Sequence, residues 1–465
     1  MFNDMPKKLM PFLLIILFSI STITSQQLPL LKISSDHQYI TKENGAPFFW
    51  LGGTAWELIH RLDKKEVELY LKDRKEKGFT VIQTVILAEL SGLVTPNVFG
   101  DLPLQNNDPT KINEKYFEHI DFVIEAAEQN GLYVGLLPTW GDKFNKKWGE
   151  GPEIFTPRNA AEYSKILAER YKDRTNIIWI LGGDRIPENE NHLMIIQAMG
   201  KTLKENSPKQ LITYHPSGGS LASDYINENW LDLDMYQSGH SRITQEFQYV
   251  LRSKAKPNLR PVINGEARYE NIPDRFWEEG NNYGWLDDSD VRVSAYWTML
   301  SGAAGYTYGC NDIWQMYSID KIPSINARTG WKAAMDLPGS LQMKFMKELF
   351  EVFPWQQMTY SPNLILGDNQ GDESYITCAI SKKKDFLIAY TPVGKSIALN
   401  LSGFSSEGAK AYWYNPRSGK IRLISNFSIS DQHVFTPWAK GRGSDFVLVI
   451  VASNSEYNVE LLNNN

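Results

Sequence analysis

Cysteine is nearly absent from this chain. Two residues in 465, Cys310 and Cys378, cannot build a disulfide framework or a zinc ribbon. A surplus of positive charge is missing as well. Lys and Arg number 48 against 54 Asp and Glu, a net charge of −6, so no basic field is available to hold nucleic acid or anionic lipid. Beyond the N-terminus no apolar run is long enough to span a bilayer. The chain also lacks a Walker loop, a dinucleotide fingerprint, an HExxH or His-x-His pattern, and a serine in a sharp G-x-S-x-G elbow. Nucleotide-dependent, metal-dependent and serine-nucleophile chemistry therefore find no support, and neither a cofactor nor a metal is expected. Aromatic residues are what the chain has in plenty: 14 Trp, 22 Tyr and 21 Phe. Core packing accounts for most of them. The remainder offer flat faces with polar tips that suit sugars and nucleobases alike, and the negative charge disfavours nucleobases.

The first residues read as an export signal. Lys7 and Lys8 precede an apolar run from Phe12 to Ile20, then small polar residues up to Ser25. The run is short for a membrane anchor, and no Cys follows to make a lipoprotein, so residues 1–25 are expected to be removed on export to the periplasm or medium. Residues 31–55 alternate around a turn at Glu43-Asn44-Gly45 and predict a hairpin. From Phe48–Gly53 onward, short apolar runs alternate with helical periods. The further runs are Thr80–Leu87, Tyr133–Pro138, Asn176–Gly182, Leu211–His215, Asp232–Gln237, Pro261–Asn264 and Gly305–Gly309. Eight continuous apolar strands, each followed by a helical segment, predict parallel strands covered from outside, and hence a closed (β/α)₈ TIM barrel over residues 26–353. Past Pro354 the helical period stops. Short strands separated by Gly, Asn, Asp and Ser turns predict a small antiparallel β-sandwich over residues 360–465.

In a parallel barrel the reacting groups stand where strands end. Those positions here are rich in carboxylates, amides, histidines and indoles. Asp184 follows Gly182-Gly183 after the fourth strand, and Glu266 follows Asn264-Gly265 after the seventh. Two carboxylates that face each other across the mouth can cleave a sugar bond with neither metal nor cofactor. Arg185 and Arg268 offer the competing reading, ordinary ion pairs. Glu57 and Glu89 are expected to orient neighbours or pair with arginines, while Asp142 and Asp312 are candidates for sugar hydroxyls. Trp56, Trp140 and Trp314 are candidates for stacking on a sugar ring. His215, Gln237 and His240 are candidates for hydrogen bonds to its hydroxyls.

With these residues in view, the chain resembles the apiosidase-like glycoside hydrolases, family 140. The resemblance rests on Asn44-Gly45-Ala46-Pro47-Phe48-Phe49, Leu51-Gly52-Gly53-Thr54-Ala55-Trp56, Trp179-Ile180-Leu181-Gly182-Gly183-Asp184 and Asn264-Gly265-Glu266-Ala267-Arg268-Tyr269-Glu270, and spans about residues 30–353. The tail segment Ala411-Tyr412-Trp413-Tyr414-Asn415-Pro416-Arg417-Ser418-Gly419 is similar to a collagen-binding-type β domain, although nothing in its residues argues for collagen. The resemblance implies a retaining mechanism with Asp184 as acid/base and Glu266 as nucleophile. It also implies release of an apiosyl unit from rhamnogalacturonan side chains of plant pectin. Related barrel glycosidases usually place Asn-Glu at the end of the fourth strand; Gly183-Asp184 departs from that pattern and sets the acid one methylene shorter. Two other readings stay open: an endo-acting β-glucanase or mannanase, and a carbohydrate-binding barrel without turnover. The expected partner is a carbohydrate, with no nucleic acid and no membrane once the signal is removed. Exo or endo action depends on whether the loops Ser91–Asn107 and Asp142–Glu153 close the mouth.

Overall fold

The computed structural model describes residues 27–464; the expected signal segment, 1–25, lies outside the described residues. Eight parallel strands form the barrel wall: β1 (Trp50–Thr54), β2 (Val81–Leu87), β3 (Tyr133–Thr139), β4 (Ile177–Leu181), β5 (Ile212–Tyr214), β6 (Asp234–Gln237), β7 (Val262–Glu266) and β8 (Gly305–Tyr308). They pair in the order β5-β4-β3-β2-β1-β8-β7-β6. All eight are buried along their whole length, which is why they read as unbroken apolar runs rather than alternating ones.

The ring closes between β5 and β6 without a regular ladder. Asp232 N donates to Ile212 O at 2.9 Å, Ile212 N donates to the Asp232 carboxylate at 2.9 Å, and Thr213 Oγ1 donates to Leu233 O at 2.9 Å. Near the mouth, a short strand Ser220–Leu221 lies antiparallel against β6.

Helices Lys64–Glu76, Glu114–Gln129, Pro157–Tyr171, Glu190–Asn206, Glu246–Lys254 and Asp288–Leu300 cover the outside. Several begin where a side chain satisfies the orphan amides of the first turn. Asp63 and Glu66 cap each other reciprocally, and so do Asp287 and Asp290, the arrangement that makes a helix start cheap at that residue. Two apolar shells result. The inner one, with Val81, Val85, Ile178, Ile180, Met235 and Ile263, fills the barrel. Its floor is Leu31, Ile40 and Phe48, contributed by a three-stranded antiparallel cap, Leu31–Ile33, Ile40–Lys42 and Pro47–Phe48. The expected hairpin thus gains a third strand and plugs the end opposite the mouth. The outer shell lies between strands and helices.

The last barrel helix is Pro338–Glu351, and the first strand of the tail begins at Met358. The tail is a six-stranded antiparallel sheet faced by a two-stranded pair, Ile397–Leu399 with His433–Phe435. Along Phe386–Thr391 the side chains alternate between two cores. Leu387 and Ala389 face the small pair, whereas Phe386, Ile388 and Tyr390 join the shell that the barrel helices share. Arg292 pins the contact with two bonds to Asp445, 2.8 Å each, both residues being buried. Arg442 adds bonds to Asp287 and Asp290.

Candidate active site

Asp184 owes its position to backbone that few residues tolerate. After β4 ends, Gly182 and Gly183 adopt φ of +97° and +74°, and Asp184 itself +56°. A Cβ on Gly182 would stand 2.3 Å from the His215 carbonyl, so glycine is required both by the left-handed turn and by the close approach. The turn lifts the Asp184 carboxyl into the mouth, where its side chain keeps 20% exposure. Arg185 lies beside it with Nη1 at 3.5 Å, but that guanidinium is already bound to the carbonyls of Asn145, Asp184 and Lys146.

Glu266 reaches the mouth by a different irregularity. The pairing of β6 with β7 skips from Tyr236–Asn264 to Gln237–Glu266, leaving Gly265 as the extra residue of a bulge that re-aims the side chain after it. Two imidazoles then hold the Glu266 carboxylate. His240 Nε2 is 3.1 Å from Oε1; His215 Nε2 is 3.1 Å from Oε2, close but off the line of a full hydrogen bond. The other ring nitrogens fix the tautomers. His215 Nδ1 accepts from Asp184 N at 3.3 Å, and His240 Nδ1 accepts from Tyr269 N at 3.4 Å. Each Nε2 therefore carries the hydrogen and turns it toward Glu266.

These surroundings drive the two carboxyls apart. Burial, and next the Glu266 charge, push Asp184 up to about 6. Burial pushes Glu266 the same way, but the imidazoles of His215 and His240 outweigh it and bring Glu266 down to about 2. One group holds a proton where its partner is ionised, the division of labour that acid/base-assisted substitution at a sugar carbon needs.

Around the pair opens a cavity of about 950 Å³ lined by Trp56, Trp140, Trp148, Gln237, Trp277 and Trp314, among others. A second hollow of about 570 Å³ meets it at Leu90, Glu150 and Ser324. Of the residues expected to touch sugar, Trp56, Trp140, Gln237, His240 and Trp314 line the cavity. Two do not. His215 is fully buried behind Glu266. Asp312 is buried away from the cavity and accepts from the amides of Arg328 and Thr329, 2.8 Å each, so it shapes a loop instead. Asp142 is likewise taken up, by Lys143 at 2.7 Å and by the Gly151 amide at 2.8 Å. Arg268 is spent on Glu246 at 2.7 Å. Glu57 does pair as expected, with His60 at 2.8 Å and Arg61 at 3.5 Å. Glu89 lines the cavity and, among the described residues, forms no direct ion pair, although the Arg185 charge acts on it.

Sequence reasoning passed over Tyr269, Trp148, Phe276 and Trp277. Tyr269 OH accepts from Trp56 Nε1 at 3.2 Å, under the cavity floor beside Glu266. Trp148 and Trp277, 60% and 52% exposed, stand open at the rim, and Trp148 lies over the Arg185 guanidinium at 4.1 Å. The available signal was an indole inside an otherwise polar, glycine-containing loop, at Lys147-Trp148-Gly149 and at Phe276-Trp277-Glu278.

Residues 34–357 match the family described as "Apiosidase-like, catalytic domain", and residues 361–451 match "Putative collagen-binding domain of a collagenase". Two solved structures are similar over nearly the whole chain. One, described as a glycoside hydrolase, is 32% identical, with 92% of this chain and 98% of that one covered and a TM-score of 0.85. The other is a glycoside hydrolase family 5 protein from Bacteroides vulgatus ATCC 8482, 31% identical, with 93% and 95% covered and a TM-score of 0.85. Comparison with curated proteins gives no match.

Proposed function

The chain belongs to the apiosidase-like family and is a glycoside hydrolase; from that premise we propose that it is an exported, retaining enzyme that releases an apiosyl-type unit from rhamnogalacturonan side chains of plant pectin. The observation that carries the reading is the opposed protonation of Asp184 and Glu266 in one cavity. Glu266, ionised and held by two imidazoles, attacks the anomeric carbon. Asp184, protonated, gives its proton to the departing oxygen, then takes one from the water that hydrolyses the glycosyl ester. Tyr269 and the indoles keep this exchange away from bulk water.

The charge inventory supports a neutral sugar at the point of cleavage. The two cations nearest the pair in sequence, Arg185 and Arg268, are committed to carbonyls and to Glu246, so neither is free to meet a uronate there. Export rests on the order of charged, apolar and small polar residues up to Ser25. The continuity of the mouth with the second hollow at Leu90 and Ser324 favours one further reading, endo action on a β-linked glucan or mannan.

The test incubates the protein with pectic side-chain oligosaccharides, cello-oligosaccharides and manno-oligosaccharides, identifies the new reducing ends, and follows their anomeric configuration by NMR. Release of apiose-terminated side chains with retention is expected, and Glu266→Gln abolishes it while leaving the fold in place. An inverted product overturns the direct attack by Glu266. Cleavage confined to the glucan or mannan set replaces the apiosyl reading with the endo one.

A further inference from the structure

Glu89 is the one carboxyl of the mouth whose role neither the pair nor the fold explains. It stands just past β2 and lines the cavity with Asp184, Glu266 and Trp140. The charged groups that face it come from three neighbouring strand ends: Glu57 after β1, Asp142 after β3, and Asp184 with Arg185 after β4. Each of these is already engaged. Glu57 holds His60 and Arg61, Asp142 holds Lys143, and Arg185 holds three backbone carbonyls. Among the described residues Glu89 has no ion-pair partner, the Arg185 charge reaching it only at a distance, and an ionised Glu89 would add a charge to a cavity that already carries Glu266. Burial, then the charges of Asp184, Asp142 and Glu57, push its carboxyl well above the ordinary range. A protonated carboxyl brings an O–H that must find an acceptor. The same wall holds a second unmatched donor, the Trp140 Nε1, which has no acceptor among the described residues.

We propose that Glu89 is a third substrate-touching carboxyl of this site, one that donates a hydrogen bond to a sugar hydroxyl on the Asp184 side of the cavity and so sets which sugar is held there. It takes no part in breaking the bond: Asp184 supplies the proton and Glu266 the nucleophile, and the inference rests on that reading of the mouth.

Two measurements on the full chain decide it, using Glu89→Gln, which keeps a donor, and Glu89→Leu, which does not. The first needs no turnover. In infrared difference spectra at pH 7, wild type minus Glu89→Gln is expected to show the carbonyl band of a protonated carboxyl; a carboxylate band in its place overturns the proposal. The second is steady-state kinetics on pectic side-chain oligosaccharides. Glu89→Leu is expected to raise KM about tenfold or more with kcat changed far less, the loss of about one hydrogen bond. Glu89→Gln recovers most of that, and its alkaline pH limb stays where the wild type has it, because the group removed carried no charge. A KM unchanged in Glu89→Leu, or an alkaline limb displaced in Glu89→Gln, refutes the proposal. Glu266→Gln, run alongside, separates the two failures: if that variant turns over, the reading of the whole mouth falls, whereas an inactive Glu266→Gln with an unaffected Glu89→Leu sinks the Glu89 role alone.

Discussion

Replacing His240 with leucine removes one of the two imidazoles that keep Glu266 ionised. The lost contact is the 3.1 Å approach of Nε2 to Oε1, and leucine keeps most of the apolar packing that the ring makes on Tyr269. A hydrogen bond to a charged group is worth roughly 1.5–3 kcal/mol, and one pKa unit corresponds to about 1.4 kcal/mol, so the carboxyl should rise by about 1–2 units. In the wild type it lies at about 2. With Glu266 as the nucleophile and Asp184 as the acid, as proposed, activity needs Glu266 ionised; the acid limb of kcat/KM then moves up by that amount, while the alkaline limb, set by Asp184 at about 6, moves little. Stability follows the same sign. A carboxyl whose folded pKa is depressed stabilises the fold above its unfolded value and loses that contribution as pH falls through the folded one. In His240→Leu the contribution shrinks and disappears at a higher pH. The assay is kcat/KM against pH, with thermal unfolding recorded at each pH to separate titration from denaturation. An acid limb left in place with a displaced alkaline limb would refute the reasoning, because it would assign the histidine to the acid and not to the nucleophile.

Two further outcomes can be checked. Asp184→Asn should lose the alkaline limb near about 6 and fail most on substrates with poor leaving groups, while aryl glycosides that leave unaided retain turnover; equal losses on both classes, in side-by-side rate measurements, would remove Asp184 from the acid role. Arg292→Met strands Asp445, whose second partner is the Tyr390 hydroxyl at 3.0 Å, and should destabilise the protein by about 3–5 kcal/mol, part of which returns when Asp445 also becomes leucine; denaturant unfolding of the single and double variants reads this directly.

The barrel was legible because its strands are buried on both faces and most of its helices begin at a capping side chain; the exception is the stretch after β5, where a short strand and the turn Ala222–Asp224 stand in place of the expected helical segment. Asp184 and Glu266 were legible for a related reason: glycine next to an acid at a strand end marks backbone bent to present a side chain. The cause of the bend was not legible. Gly183 sits in a left-handed turn, whereas Gly265 is the extra residue of a bulge whose partner lies 28 residues away in the chain, at Gln237 and Tyr236. Asp312, Asp142 and His215 follow strand ends yet do not line the cavity, because position at a strand end does not reveal direction. Asp312 is drawn to the amides of a loop more than a dozen residues on, and His215 to a carboxylate on β7. The β-sandwich expected over residues 360–465 carried no sign of the barrel against it; Phe386–Thr391 is apolar on both faces because the barrel helices cover the second.

The seam between β5 and β6 gives the two imidazoles a mechanical meaning. His215 stands at the end of β5 and His240 just past β6, so the grip of both on Glu266 spans the seam that lacks a regular ladder. Glu266 is thus a rivet across that seam. On the retaining reading proposed above, forming the glycosyl ester removes the charge that the two imidazoles hold.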